Sequence, residues 1–489
     1  MSDVRAWLAE QADRVIETSC AWVFLQGERA FKLKKPVDYG FLDFSTVEKR
    51  RWAIERELAF NRSTAPELYR AVRRVTSEAG ELAFDGGGET VETVLEMRAF
   101  DPDAVLAEHP ERVDGALAEA LGRTIARFHA GAELRPGGGG NRALGFTIRT
   151  NADNLRRLAH DLGSEDVERL IAQTDAALAA AAPLLERRRA EGFARRCHGD
   201  LHLGNILLQH GRPVLFDCIE FNDLLSEIDV QYDVAFTVMD LGFRGRGEAA
   251  NRLLNGYLDQ AARSFPADLW DGLAALPLML SARAAVRTHV AGAQGDFEPA
   301  RAYLAAALAH LAPPPPTLVA IGGLSGTGKS TLARRVAPSL GGAPGAVVLR
   351  SDEIRKRLAG VAPTERLPDQ TYDEATSERV YDEMASIGRR VLAAGRAVVL
   401  DAVFLKPEER QAAAELAAAT GVPFHGFWLE GPRDELRRRL AARGADASDA
   451  GPEVLDEQLA RDPGPIDWRK LDAADLHGAA GRILAGAEN

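Results

Sequence analysis

His198, Asp200 and His202 alternate in the segment RCHGDLHLGNILL, and an apolar run follows them. On an extended backbone this spacing puts three side chains on one face, a disposition that could ligate a transition metal. Far downstream, GGLSGTGKST carries Gly323, Ser325, Gly326, Thr327, Gly328, Lys329, Ser330 and Thr331 between a strand pattern and a helix pattern. Its glycines let successive backbone N–H groups turn inward around phosphates, Lys329 can reach the outer phosphates, and Ser330 can ligate Mg²⁺. The positive end of the helix beginning near Lys329 adds to the same anion site.

The residues after the first segment discriminate between its possible chemistries. Asn205 stands five residues after Asp200, the interval at which a phosphoryl-transfer loop places a base and an Mg²⁺ ligand. ILLQHGRPVLFDCIEFND then supplies a strand, a turn around His210 and Gly211, a second strand, and Asp217 as a further metal ligand. A clamp on the phosphate charge is expected upstream, as a strand lysine paired with a helix glutamate. AFKLKK offers Lys32 and Lys34 on one face of a strand, and AIERELAFNR offers Glu55 and Glu57; we assign Lys32 and Glu57. A transition-metal centre would leave Asn205 and Asp217 without roles, and no further His/Cys cluster completes a tetrahedral shell. His198 and His202 are therefore expected to support the loop.

In the later half, VVLRSDEIRKRL delivers Ser351 and Asp352 at a strand end, where ligands bind in open α/β sheets. AVVLDAVF places Asp401 as the metal-assisting aspartate after an apolar strand. The stretch PRDELRRRLAARGADASDAG gathers Arg437, Arg438, Arg439 and Arg443 on a helix and its exit. Some of these form a solvated face; one or two could close over a phosphoryl group as a lid.

The elements that must position these residues follow from the patterning. At 489 residues the chain exceeds one ordinary core, so two or three domains are expected. Its 46% hydrophobic and 27% charged content is that of a globular protein, and no apolar run reaches the length of a membrane span. MSDVRAWLAEQADRV is amphipathic and acidic, without the basic start and apolar middle of a signal peptide. Three cysteines with no CxxC pair suit a reducing cytoplasm. A net charge of −12 argues against a general nucleic-acid binder. Four prolines from Pro313 stop a helix and form a stiff spacer, dividing the chain into residues 1–312, a linker 313–316, and residues 317–489. The first part reads as a β-rich small lobe, with a helix capped by Ser45 and Glu48, followed by a helical large lobe. In the last part strand and helix alternate, which predicts a parallel sheet covered on both faces.

With these motifs in view, residues 10–310 resemble the aminoglycoside phosphotransferase group of the protein-kinase-like fold. HGDLHLGN and LFDCIEFND carry the resemblance, GRTIARFH and YDVAF agree with it (Asp233 as a loop support), and Gly199 stands where many protein kinases have arginine. No G-x-G-x-x-G lies near residues 15–30; Ser19 in ETSCAW is the candidate phosphate contact in its place. Residues 317–489 resemble small P-loop kinases of the gluconate kinase, chloramphenicol phosphotransferase, polynucleotide kinase and zeta-toxin type, through the glycine-rich loop, SDEIRKRL, VVLDAVF and the arginine-rich segment with DASDA. The resemblances imply an α+β bilobal kinase-like domain followed by an α/β P-loop NTPase domain. They imply Asp200 as base, Asn205 and Asp217 at Mg²⁺, Asp352 on an acceptor hydroxyl, Arg355 on substrate, and Arg439 and Arg443 as lid clamps. The expected protein is a cytoplasmic tandem phosphotransferase using ATP or GTP with Mg²⁺ on hydroxyls of small molecules, such as an antibiotic, a sugar or a related metabolite. Two alternatives stand beside it. In one, a single active domain is regulated by the other as a nucleotide-binding module; in the other, the P-loop half phosphorylates a nucleotide sugar or a nucleic-acid 5′-hydroxyl. VAPTERLPDQTYDEATSERVY matches no acceptor signature.

Overall fold

Alternating apolar residues and turns at Gly27 and Gly80 fold the N-terminal part, in a computed structural model, into one antiparallel sheet. The structure describes residues 2–40, 42–442 and 447–487. The strands are β1 (Arg14–Glu17), β2 (Ala21–Gln26), β3 (Arg29–Lys34), β4 (Tyr69–Glu78), β5 (Glu81–Phe84) and β6 (Glu89–Arg98), in the order β1-β2-β3-β6-β4-β5. The period of two along β3 sorts its side chains. Phe31 and Leu33 join Phe24, Val75 and Val94 in the apolar core of one face, while Lys32 and Lys34 meet Glu57 of the helix Val47–Asn61. That helix is capped by Thr46, whose Oγ1 accepts the Lys49 N–H (3.3 Å), and not by Ser45 as the sequence suggested. The backbone N–H and hydroxyl of Ser45 both donate to Asp43 Oδ1 (3.0 and 2.6 Å), so an aspartate turn takes Ser45 and the cap moves on by one residue.

The large lobe is helical, with Gly115–Gly131, Gly140–Arg157, Ser164–Ala190, Val230–Phe243, Gly247–Ala261, Leu276–Ala293 and Phe297–His310 as its longer helices. Two short antiparallel pairs sit at its upper surface: β7 (Ala194–Arg196) with β10 (Glu227–Asp229), and β8 (Ile206–Gln209) with β9 (Arg212–Leu215). Residues 313–316 then run without regular structure into the second domain. There, β11 (Leu318–Gly323), β12 (Val347–Arg350), β13 (Val398–Asp401), β14 (Phe424–Glu430) and β15 (Arg469–Asp472) form a parallel sheet in the order β12-β13-β11-β14-β15. β11 is buried at every position. Val319 and Ile321 pack with Leu332, Val336 and Ile483 on one face, and Leu318 and Ala320 belong to the cluster with Val380, Ile387 and Val391 on the other. Burial on both faces explains why the strand reads as an unbroken apolar run.

The second cluster continues into the large lobe of the first domain, so the two domains share apolar packing. β12 is an edge strand, and edges with unpaired N–H and C=O groups must be covered. The helix Gly247–Ala261 covers this one with two asparagines a turn apart. Asn255 Oδ1 accepts the Val348 N–H (2.7 Å), and Asn251 Nδ2 donates to the Ala346 carbonyl (3.0 Å). Arg263 donates to the Val361 carbonyl (2.6 Å), and Arg390 pairs with Asp268 (2.7 Å) and Asp271 (3.3 Å) across the same junction. Asn255→Ala would leave the Val348 N–H without this partner at a part-buried edge. It should destabilise the protein by about 1–3 kcal/mol, read as a lowered denaturant midpoint.

Candidate active sites

The loop bearing Asp200 is shaped by the helix Val230–Phe243. Asp233, Thr237 and Asp240 stand at i, i+4 and i+7, one face of a helix. Asp233 accepts the backbone N–H of His198 (Oδ2, 2.9 Å) and of Gly199 (Oδ1, 2.8 Å), Thr237 donates to the Leu201 carbonyl (2.6 Å), and Asp240 accepts the Leu203 N–H (2.9 Å). His129 Nε2 lies 3.0 Å from Asp233 Oδ2, and Arg283 donates to the Gly199 carbonyl (2.9 Å). Gly199 has φ +86°, and a Cβ there would stand 2.7 Å from the Leu225 carbonyl oxygen, so the turn requires glycine. Asn205 Nδ2 then donates to the Asp200 carbonyl (2.8 Å) and to its Oδ2 (3.0 Å).

The histidines are not a metal pair. His198 is buried; its Nε2 donates to the Phe216 carbonyl (2.8 Å) and its Nδ1 accepts the Asp200 N–H (3.3 Å), which occupies both ring nitrogens. His202 turns the other way, accepting the Gly204 N–H on Nδ1 (3.0 Å) with Nε2 3.4 Å from Asp200 Oδ2. Among the described residues, His129, Cys197 and Asp233 could approach a common metal position, but the Asp233 oxygens already serve the loop.

Facing this loop, Lys32 Nζ contacts Glu57 Oε1 (2.7 Å) and Asp217 Oδ1 (2.6 Å). Glu57 is fully buried, whereas the Asp200 and Asp217 side chains are 38% and 42% exposed at the cleft. Burial works against the Lys32 ammonium, but Asp217 and Glu57 outweigh it and hold its pKa well above the ordinary lysine value. Burial likewise opposes ionisation of Asp217, and Lys32 more than compensates, lowering its pKa. Glu55, the other helix candidate, is on the exposed side, paired with Arg51 (2.9 Å). Ser19 is exposed, its carbonyl accepting from Tyr39 Oη (3.1 Å).

In the second domain β11 runs into the glycine-rich loop and the helix Lys329–Val336. Gly326 has φ +85°, and a Cβ there would stand 2.8 Å from the Leu436 carbonyl oxygen, which brings the helix Arg433–Ala441 directly against the loop. Lys329 Nζ reaches the Leu324 carbonyl (3.0 Å), Thr327 Oγ1 donates to the same oxygen (2.8 Å), and Thr331 is exposed on the first turn. Gln458, which the sequence did not single out, braces the loop by accepting the Ser325 N–H (2.9 Å) and donating to Ser325 Oγ (3.0 Å).

Parallel register places Arg350 of β12 beside Asp401 of β13. Arg350 Nε donates to Asp401 Oδ2 (3.2 Å), Nη2 to Ser330 Oγ (3.2 Å) and Nη1 to Glu353 Oε1 (2.9 Å). The two residues expected at Mg²⁺ are thus bridged by a guanidinium. Asp352 opens the helix Ser351–Leu358 beside them. Arg355 is buried, donating to the Thr371 carbonyl (2.8 Å) and Ser377 Oγ (3.2 Å), with the Tyr372 ring 4.9 Å away. It therefore orders the segment before Glu374. Asp449 does the same from the far side, accepting from Lys356 (2.9 Å), the Leu367 N–H (3.0 Å) and Tyr372 Oη (2.8 Å). Arg439 meets the Ala473 carbonyl (3.1 Å) and Glu435, and Arg437 pairs with Asp456 (2.8 Å). Arg443 lies outside the described residues.

Asp200 is the titratable group whose environment matters most. Burial raises its pKa, but His202, His198 and Arg283 outweigh that and hold the carboxyl well below its ordinary range. With the folded value depressed, the stabilisation is present at neutral pH, above the unfolded value of about 3.9, and is lost as pH falls through the folded value. His202→Leu should raise the Asp200 pKa and move any acid limb of turnover at this site upward in pH. The check is the pH–rate profile of the variant against the unaltered chain.

The comparisons with known proteins match two separate stretches of the chain. Residues 53–276 match the Phosphotransferase enzyme family, and residues 318–465 match the AAA domain. A protein of Mycobacterium tuberculosis and one of Mycobacterium bovis, both named only as uncharacterized, are each 32% identical over 484 residues, covering 97% of this chain and 94% of theirs. Among solved structures, a choline/ethanolamine kinase family protein from Mesorhizobium loti is 17% identical over 64% of this chain and 97% of its own, with a TM-score of 0.38. A gluconokinase from Sinorhizobium meliloti 1021 is 25% identical over 35% of this chain and 92% of its own, with a TM-score of 0.25. No helix among the described residues is long and apolar enough to cross a membrane. The chain belongs to one family with its mycobacterial relatives, and it is a kinase-type phosphotransferase in which a kinase-like domain precedes a P-loop domain.

Proposed function

We propose that this protein transfers phosphoryl groups from ATP or GTP to hydroxyls of small molecules at two separate sites, with Mg²⁺ in each. The observation that carries the reading is the meeting of Lys32, Glu57 and Asp217, with the Asp217 loop bonded through Phe216 N–H and Ile219 N–H to the Asn205 and His198 carbonyls of the Asp200 loop. Phosphoryl transfer needs little covalent help from the protein, so charge placement and positioning supply most of the rate.

At the first site Asp200 accepts the acceptor hydroxyl's proton, and its low pKa keeps it ionised for that task. Lys32, oriented by Glu57, steadies the nucleotide phosphates. Asn205 and Asp217 offer amide and carboxylate oxygens, donors for a hard divalent cation; at the second site Ser330 and Asp401 offer a hydroxyl and a carboxylate, which the ion would take over from the Arg350 guanidinium that now donates to both. A divalent cation held there would supply positive charge to offset that of the phosphates during transfer. At the second site Lys329 and the loop amides of Ser325, Gly326, Thr327 and Gly328 hold phosphates, and Asp352 orients the acceptor. Arg355 shapes the acceptor pocket by holding the segment before Glu374. Arg439, on the helix packed against the loop, is the lid candidate.

A panel of sugars, aminoglycosides and related metabolites, incubated with MgATP and MgGTP and scored by mass gain, tests the reading. Asp200→Asn should lower one activity by about 100-fold or more, and Lys329→Ala should abolish a different product. Turnover of every product untouched by Asp200→Asn would sink the first site.

A further inference from the structure

Lys34 has no part in the chemistry above, yet it is 2% exposed and lies beside the nucleotide clamp. Its Nζ forms close ion pairs with Glu57 Oε2 (2.6 Å) and with Glu220 Oε1 (2.6 Å), a carboxylate that is itself 3% exposed. Together with Lys32 and Asp217 this makes one cluster of two ammonium groups and three carboxylates. Burying ion pairs is a poor route to stability, because apolar side chains of similar volume often serve as well. Such a cluster asks for a positional reason.

The loop after β9 provides it. Phe216 N–H donates to the Asn205 carbonyl (3.1 Å), Asp217 N–H to Tyr69 Oη (3.0 Å), Cys218 N–H to Asn61 Oδ1 (2.9 Å) and Ile219 N–H to the His198 carbonyl (2.8 Å). Glu220 ends the series with its side chain on Lys34. Within this loop Asp217 has φ +64°, a left-handed conformation that a non-glycine residue keeps only when its surroundings impose it. Glu57 is gripped from two sides, by Lys32 on one oxygen and Lys34 on the other. Lys34 thus ties the Asp217 loop, the helix Val47–Asn61 and β3 together.

We propose that Lys34 and Glu220 are a positioning pair, latching the Asp217 loop and the Glu57 helix to β3 so that Lys32 and Asp217 stand in register for magnesium nucleotide. This rests on the reading of Lys32 and Asp217 given under Proposed function.

The test uses the full chain carrying Lys329→Ala, which silences the P-loop, and titrates Mg²⁺ against a fluorescent ADP analogue by anisotropy. Lys34→Met and Glu220→Gln should each raise the Mg²⁺ concentration for half-saturation by tenfold or more. Nucleotide binding in EDTA should change less than threefold, and Lys34→Arg should recover part of the Mg²⁺ response. An unchanged Mg²⁺ midpoint in a folded Lys34→Met or Glu220→Gln chain overturns the proposal. So does a Lys34→Met/Glu220→Met pair with normal Mg²⁺ dependence, since the pair would then only fill space. If Lys34→Met does not fold, Glu220→Gln, which keeps the side-chain volume, decides by the same criteria. Absence of any magnesium-dependent binding in the Lys329→Ala chain with Lys34 and Glu220 intact would instead overturn the reading of the first site, and this proposal with it.

Discussion

The buried carboxylate of Asp233 is the constraint from which the first site follows. It accepts the N–H groups of His198 and Gly199 and lies against His129, so the peptide before Asp200 has one available course. Neutral hydrogen-bond partners alone would hold this turn less firmly, because bonds to a charged acceptor are shorter and stronger. The turn aims Asp200 into the cleft and leaves the His198 ring to brace the Phe216 carbonyl on the neighbouring loop. The Asp217 loop is therefore hung from the Asp200 loop, and neither is placed independently.

The small lobe meets this platform with charge. β3 and the helix Val47–Asn61 bring Lys32, Lys34 and Glu57 down onto Asp217 and Glu220, so ion pairs join the lobes beside an apolar cluster in which Ile54 and Leu95 pack with Leu207. The second domain is attached differently, through continuous apolar packing and the asparagine-covered edge of β12. Charge reaches across this junction too. Glu353, bonded to Arg350, lies 3.8 Å from Arg334 and 4.0 Å from Arg123, and Arg334 lies 3.6 Å from Glu119. Glu119, Arg123 and His129 all belong to the helix Gly115–Gly131. One rigid element therefore touches both the Asp233 anchor and the ion network that ends at Ser330 and Asp401.

The site residues differ in how legible they were. Lys32, Glu57, Asp200, Asn205 and Asp217 come together because each occupies a spacing that local geometry converts directly into position: alternate residues on a strand, one face of a helix, five residues around a loop. Lys34 was set aside in favour of Lys32 on the same strand face, and Glu220, Glu353 and Gln458 were not read as part of any site. A lone Lys or Glu in a charged stretch looks like a solvated face, and only long-range packing buries it beside a partner 133 or more residues away, as with Lys34 and Glu220 or Gln458 and Ser325. The Ser45 cap failed for a smaller reason of the same kind: Asp43 competes for the hydroxyl, and a cap rule weighs one residue at a time.

By itself the sequence determined the division into a β-rich lobe, a helical lobe and a parallel-sheet domain, because hydrophobic period and proline punctuation are local properties. It also determined the phosphate loop, where glycines at set intervals are a backbone requirement. Tertiary structure alone decided that His198 turns inward while His202 faces Asp200, that Arg350 bridges Ser330 and Asp401, and that Lys34 joins Glu57 to Glu220. Those outcomes depend on which groups meet after folding, and electrostatic pairing in a buried cluster is settled by distance in space, which spacing along the chain does not encode.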